Sequence, residues 1–92
     1  ETEIGALGDA EPNPLDDVMV QREEAIRDAR LNLLRRAYKD AGLDPHMVNF
    51  TSPRIQPVAF YKDPTTGILF CKVVLDKETY RNLVSNLSRG RK

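Results

Sequence analysis

Apolar residues recur at helical spacing over the stretch that follows Asn13-Pro14. Asn13 can accept a hydrogen bond from the first-turn N–H groups, and Pro14 suits the first helical position. Asp16 and Asp17 favour the positive end of a helix. No helix-breaking residue follows until Gly42, which is typical of a left-handed stop. The pattern therefore predicts one helix of about 25–28 residues that ends at Gly42.

The apolar positions of this helix form two neighbouring stripes. The first stripe comprises Ile26, Ala29, Leu33 and Ala37, and the second comprises Leu31, Leu34, Tyr38 and Ala41. Together they cover more than half of the circumference, which is wider than a helix needs for packing on one surface. We therefore expect Leu31, Leu34 and Tyr38 to contact something outside the domain's own core.

Two β-branched and aromatic runs, Ile55–Lys62 and Ile68–Leu75, predict strands. Between them, Asp63-Pro64-Thr65-Thr66-Gly67 supplies proline where a turn needs φ near −65° and glycine where it needs positive φ. This is the pattern of a β-hairpin. Pro57 cannot donate to a ladder, so the first strand is expected to lie at an edge.

Both faces of this hairpin are apolar when Asp63 is placed opposite Ile68. One face carries Val58, Phe60, Leu69, Cys71, Val73 and Leu75. The other face carries Ala59, Tyr61, Ile68, Phe70 and Val74, interrupted by Lys72. This pattern is typical of strands buried on both sides, yet a two-stranded hairpin alone is only marginally stable in water.

A second helix is predicted over residues 77–88. Asp76 can cap it, and Gly90 can end it. One face is apolar at positions i, i+3, i+4 and i+7, namely Tyr80, Leu83, Val84 and Leu87. The expected element order is α-β-β-α, which places the chain in the α+β class.

The charges divide the chain into three predicted parts. Residues 1–18 hold six acidic and no basic residues, a charge of −6, whereas residues 19–92 hold fourteen basic and eight acidic residues, a charge of +6. Residues 1–12 also lack periodicity, so we interpret them as a flexible acidic arm. Residues 13–88 would form the single domain, and residues 89–92 a basic tail.

The residues that could perform catalysis are few. His46 is the sole histidine, and Cys71 is the sole cysteine and falls on the hairpin face assigned to the core. Phosphate-binding loops and nucleophile motifs are absent from the sequence. We expect no enzymatic activity, cofactor, metal site or small-molecule substrate. One cysteine and no membrane-length apolar run favour a cytoplasmic or nuclear protein that does not enter a membrane.

The surplus of apolar surface predicts a protein partner. The expected contact residues are Leu31, Leu34, Tyr38, Tyr61, Phe70 and Val74. A C2 homodimer is the commonest solution for a soluble protein, and docking into a larger assembly is another. The remaining possibility is a monomer whose sheet is closed by a third strand near Met47–Thr51.

Nucleic-acid binding is the alternative function. Its candidate residues are Arg30, Arg35, Arg36, Arg89, Arg91 and Lys92. Tyr61 and Phe70, paired across the hairpin, could stack on bases. Phosphate binding requires basic residues gathered on one face, and the helix arginines are expected to point in several directions.

Overall fold

The computed structural model describes residues 2–15 and 17–90 of the 92-residue chain. The elements are β1 (Glu3–Ala10), α1 (Val18–Asp40), a short 3-10 turn at Pro45–Met47, β2 (Gln56–Lys62), β3 (Leu69–Asp76) and α2 (Lys77–Gly90). The arrangement confirms the α+β class. It adds one strand to the predicted α-β-β-α order.

The three strands form one antiparallel sheet in the order β1-β3-β2. Because β1 and β2 both run antiparallel to β3, they run parallel to each other, and α1 connects them in a split β-α-β unit. The predicted hairpin is confirmed, with Tyr61 opposite Phe70. The N–H of Asp63 donates to the carbonyl of Ile68 (2.9 Å), and Gly67 has a φ of 76°.

The expectation of a flexible arm over residues 1–12 is wrong for Glu3–Ala10, which is strand β1 and pairs along the whole of β3. Its inward positions are occupied by Ile4, Ala6, Gly8 and Ala10. These are mostly small residues, so the segment carries little hydrophobic alternation. The alternative third strand near Met47–Thr51 is also wrong, because residues 48–52 have no regular secondary structure.

Strand β1 lies against the backbone of α1. A Cβ built on Gly8 would overlap the backbone nitrogen of Ala29, so only glycine permits this approach. On either side of Gly8, helix side chains bind the outer edge of the strand. Asn32 Nδ2 donates to the carbonyl of Leu7 (2.8 Å), and Asp28 Oδ2 accepts from the N–H of Asp9 (2.9 Å). These bonds occupy edge groups that would otherwise be open to another strand.

Helix α1 begins four residues later than the prediction. Asp17 is the N-cap, and its carboxylate accepts from the N–H groups of Met19 and Val20. Asn13 instead closes the preceding loop by exchanging two hydrogen bonds with the backbone of Asp17 (2.8 and 2.9 Å). The predicted stop is confirmed, since the helix ends at Asp40 and Gly42 has a φ of 79°. Asp16, which was expected in the first turn, lies outside the described residues.

The second apolar stripe of α1 is covered largely by the chain itself. Leu34 is 1% exposed and belongs to the core, so its expected role as an external contact is wrong. It packs where the connection from α1 to β2 folds back, in a groove lined also by Phe50 and Ile55. The ring of Tyr38 lies 6.5 Å from that of Phe50. Half-buried Leu31 lines a cleft formed with residues 9–14.

Gln21 is the buried polar residue that joins three parts of the fold. Its Nε2 donates to the carbonyls of Ala10 (3.1 Å), at the end of β1, and Gly67 (2.7 Å), in the β2–β3 turn. Gln21 is 2% exposed, and an unsatisfied amide at such a position would be costly. The start of α1 is thereby attached to the end of β1 and to the β2–β3 turn.

Helix α2 is capped as predicted, because Asp76 Oδ2 accepts from the N–H groups of Glu78 and Thr79 (3.1 and 3.2 Å). The helix continues to Gly90, so Arg89 belongs to it rather than to a separate tail. The predicted apolar face is confirmed: Tyr80 is buried, and Leu83, Val84 and Leu87 pack against the core. The hydroxyl of Tyr80 donates to Asp40 at the end of α1.

Gly8→Ala should destabilise the protein by about 3 kcal/mol, because the new methyl group must push β1 away from the α1 backbone. Gly5→Ala is the matched control in the same strand. Its Cβ would meet the flexible end of Lys72 at 3.3 Å, so the change should stay within about 1 kcal/mol. Urea denaturation measures both, and equal effects would contradict the close β1–α1 contact.

Alkaline pH should destabilise the protein through Tyr80. Burial, and then the hydrogen bond to Asp40, raise the pKa of Tyr80 above its ordinary value near 10. Above about pH 10 the unfolded chain therefore loses this proton while the folded chain keeps it, and the free energy of unfolding falls as pH rises. In Tyr80→Phe this part of the pH dependence should disappear. Denaturant titrations at neutral and alkaline pH test this, and an unchanged slope in the variant would refute it.

Candidate interaction surface

Both helices lie on one side of the sheet. The core brings residues of α1 and α2 together with Leu69, Cys71, Val73 and Leu75, the alternate residues of β3. The other β3 residues therefore point to the opposite side, where no described helix covers them. We call this side the open sheet face.

Three transverse rows build the open sheet face from residues opposite each other on β1, β3 and β2. The rows are Asp9–Phe70–Tyr61, Leu7–Lys72–Ala59 and Gly5–Val74–Gln56. Leu7 and Tyr61 are 64% and 61% exposed, and Phe70 and Val74 are half-buried. The rings of Tyr61 and Phe70 stack with centroids 6.3 Å apart at an interplanar angle of 29°. The result is an apolar surface that crosses all three strands.

Lys72 lies at the centre of this face. A Cβ on Gly5 would be 3.3 Å from Lys72 Cε, so the lysine chain runs over the glycine and adds its methylene groups to the apolar surface. Acidic residues lie at the two ends of the face. Asp9 stands beside Phe70, and Glu3 stands opposite Asp76. Along the strands, Lys72 thus lies between Asp9 at one end and the Glu3–Asp76 pair at the other.

Val58 is the hairpin residue whose predicted face is wrong. It was expected in the core, but the register shifts between Pro57 and Ala59, and Val58 is 55% exposed. Its neighbour Phe60 keeps the predicted inward side and is half-buried, with the guanidinium carbon of Arg22 4.3 Å from the ring centre. A bulge with a proline also makes the β2 edge a poor template for a further strand.

The structure brings together three of the six residues predicted for protein contacts. Tyr61, Phe70 and Val74 share the open sheet face. Leu31, Leu34 and Tyr38 lie on α1, on the other side of the sheet. Sequence reasoning missed Leu7, since its flanking residues Gly5, Ala6 and Gly8 give no strand signal. One pattern in the sequence does favour a strand here, because the apolar residues Ile4, Ala6 and Ala10 alternate with the acidic residues Glu3 and Asp9.

The residues predicted for nucleic-acid binding are not gathered on one face. Arg30 Nε donates to the carbonyl of Ile55 (2.8 Å), on the β2 flank of α1. Arg35 donates to Asn32 (3.1 Å), whose amide binds β1 on the opposite flank. The side chain of Arg36 interacts with the hydroxyl of Tyr80. Arg89 donates to Asn86 within α2. Arg91 and Lys92 lie outside the described residues.

His46 and Asp44 form an exposed pair in the connection after α1. His46 Nδ1 lies 3.1 Å from Asp44 Oδ1, and the same oxygen accepts from the backbone N–H of His46 (2.9 Å). These two interactions, the backbone bond first, hold the pKa of Asp44 below its ordinary value. The geometry is that of a capped turn open to water.

Residues 2–15 and 17–90 contain neither a metal cluster nor a membrane-spanning helix. No group of three or more His, Cys, Asp or Glu side chains there could hold a metal ion. Across the same ranges, no helix is long and apolar enough to cross a membrane.

Comparison of the chain with protein-family models, with curated proteins and with solved structures finds no match in any of the three. The geometry of the molecule is therefore the basis for proposing a function.

Cys71 should react slowly with thiol reagents in the folded protein. Its side chain is 1% exposed, and burial raises the pKa of the thiol, against the opposing charges of Arg30 and Arg22. Full labelling should require denaturant. Cys71→Ala should cost about 1–2 kcal/mol of stability, as expected for a small buried apolar group. Rapid stoichiometric labelling of the native protein would show that the inward side of β3 is accessible.

Proposed function

We propose that this chain is a non-enzymatic protein-interaction module that dimerises through its open sheet face, as part of a larger cytoplasmic or nuclear assembly. The observation that carries the proposal is the exposed apolar surface formed by Leu7, Tyr61, Phe70 and Val74. Two sheets that pack face to face bury side chains of this kind. A second copy supplies a surface of the same size and character.

The size of the face fits a weak and reversible dimer. Three strands about 4.8 Å apart and seven or eight residues long, at about 3.3 Å per residue, cover at most roughly 14 by 26 Å. Such a footprint is below the roughly 800 Å2 per partner of a standard specific interface. We therefore expect a dissociation constant on the order of 10–100 μM, unless the assembly adds further contacts.

The charges on the face also suit a second copy. A two-fold axis that lies in the plane between two sheets brings residues on one side of the axis opposite residues from its other side in the second copy, and residues on the axis opposite themselves. With the axis at the Val74 row, Lys72 of each copy lies opposite the Glu3–Asp76 end of the other. Two equivalent ion pairs would then flank an apolar centre. They would determine how the two sheets are aligned and would add little to the affinity.

Nucleic-acid binding remains a second candidate because of one observation. The stacked pair Tyr61 and Phe70, beside Lys72 on an uncovered sheet, is an arrangement on which bases can stack. The three carboxylates on the same face oppose it, since phosphates would approach Asp9, Glu3 and Asp76. We therefore favour a protein partner.

Sedimentation velocity over a concentration series tests the proposal. The wild-type chain should dimerise, and the double variant Leu7→Ser/Tyr61→Ser should remain a monomer while keeping its helical circular dichroism. The matched control is Leu15→Ser/Met47→Ser, which removes two exposed apolar side chains away from the sheet and should still dimerise. A wild-type chain that stays monomeric near 1 mM would contradict dimerisation, because this concentration is roughly ten times the highest dissociation constant expected above.

A titration with single-stranded oligonucleotides separates the two candidate functions. Phosphate-driven binding weakens steeply as salt rises, whereas apolar sheet packing should change little. We expect no binding at physiological salt. Binding that falls with salt and is lost in Tyr61→Ser, without any dimerisation, would favour the nucleic-acid alternative.

A further inference from the structure

A groove separates α2 from the connection that leads into β2. One wall is formed by α2 and includes Asn82, Leu83 and Asn86, and the other by residues 50–54. The groove has a volume of about 380 Å3, within the range of small-molecule sites. It lies on the helix side of the molecule and shares no strand row with the open sheet face.

The floor of the groove is apolar. Leu34, Ile55 and Leu75 form it, and all three belong to the hydrophobic core. These three side chains are almost completely buried, so the accessible apolar surface of the groove is that of Phe50, which is 42% exposed, and half-buried Leu83 on the opposite wall. An apolar ligand group placed between these two side chains would displace water from both.

The rim of the groove is polar and carries one charge. Arg54 is the sole ionisable residue among those that line it, and the amides of Asn82 and Asn86 lie on the opposite wall. Glu3 and Asp76 line the adjoining cleft with Arg54. Within residues 2–15 and 17–90, the one ion pair within 4 Å is that of His46 with Asp44, so neither Glu3 nor Asp76 forms a close ion pair with the guanidinium.

We infer that this groove binds a small amphipathic monocarboxylate. The aliphatic or aromatic body of the ligand lies between Phe50 and Leu83. Its carboxylate accepts two parallel hydrogen bonds from the Arg54 guanidinium, a geometry that arginine favours. Asn82 and Asn86 offer further amide donors across the mouth of the groove.

Titration of the isotope-labelled chain with octanoate, below its micellar concentration, tests the inference by amide chemical shifts. We expect shifts centred on Ile55, Thr79 and Leu83, and none on Lys72 or Tyr61 of the open sheet face. Octanol and octylammonium are the matched probes, which keep the chain but remove or reverse the charge. Equal shifts with all three probes, or shifts outside the groove, would overturn the inference.

Two variants make the test specific. Arg54→Gln should weaken octanoate binding about tenfold, because it removes a charge-assisted pair. Arg27→Gln, an exposed arginine on α1 outside the groove, is the control and should bind normally. Leu83→Trp should block the groove while leaving Arg54 in place. Undiminished binding in Arg54→Gln contradicts the inference even if Leu83→Trp does not fold.

Discussion

The contact between the backbones of β1 and α1 determines much of the remaining arrangement. Gly8 lets the strand approach Ala29 without a side chain between them, and Asn32 and Asp28 then bind the strand edge on both sides of that point. With β1 held there, β3 pairs along its full length and becomes the central strand. Helix α1 therefore lies on one side of the sheet, α2 packs on the same side, and the other side is left uncovered.

The parts of the fold with strong local chemistry could be predicted from the sequence. The turn Asp63–Gly67 fixes the hairpin register, Gly42 ends α1, and Asp76 begins α2. The inward position of Cys71 followed from the same register. Strand β1 could not be predicted in this way, because its identity depends on a close approach between glycine and helix that involves residues about 20 positions apart.

The same limit explains the partial prediction of the candidate site. Tyr61, Phe70 and Val74 were assigned to one face because they lie on the hairpin, where alternation is informative. Leu34 was assigned to an external contact because the fold-back of residues 43–55 over α1 has no periodic signal. The surplus apolar surface of helix α1 is therefore covered largely by other parts of the same chain. The apolar surface of the open sheet face is not covered, and this difference is the physical basis of the proposed dimer.

Intermolecular paramagnetic relaxation tests the use of the open sheet face most directly. One sample is the variant Ala59→Cys/Cys71→Ala, which carries a spin label at residue 59 and no isotope label. It would be mixed with isotope-labelled wild-type chain. If the chain dimerises through the open sheet face, relaxation of the isotope-labelled copy should be enhanced at the amides of Leu7, Phe70, Lys72 and Val74 and unaffected along the outer side of α1. Enhancement centred on α1, or none at concentrations where the chain dimerises, would contradict it.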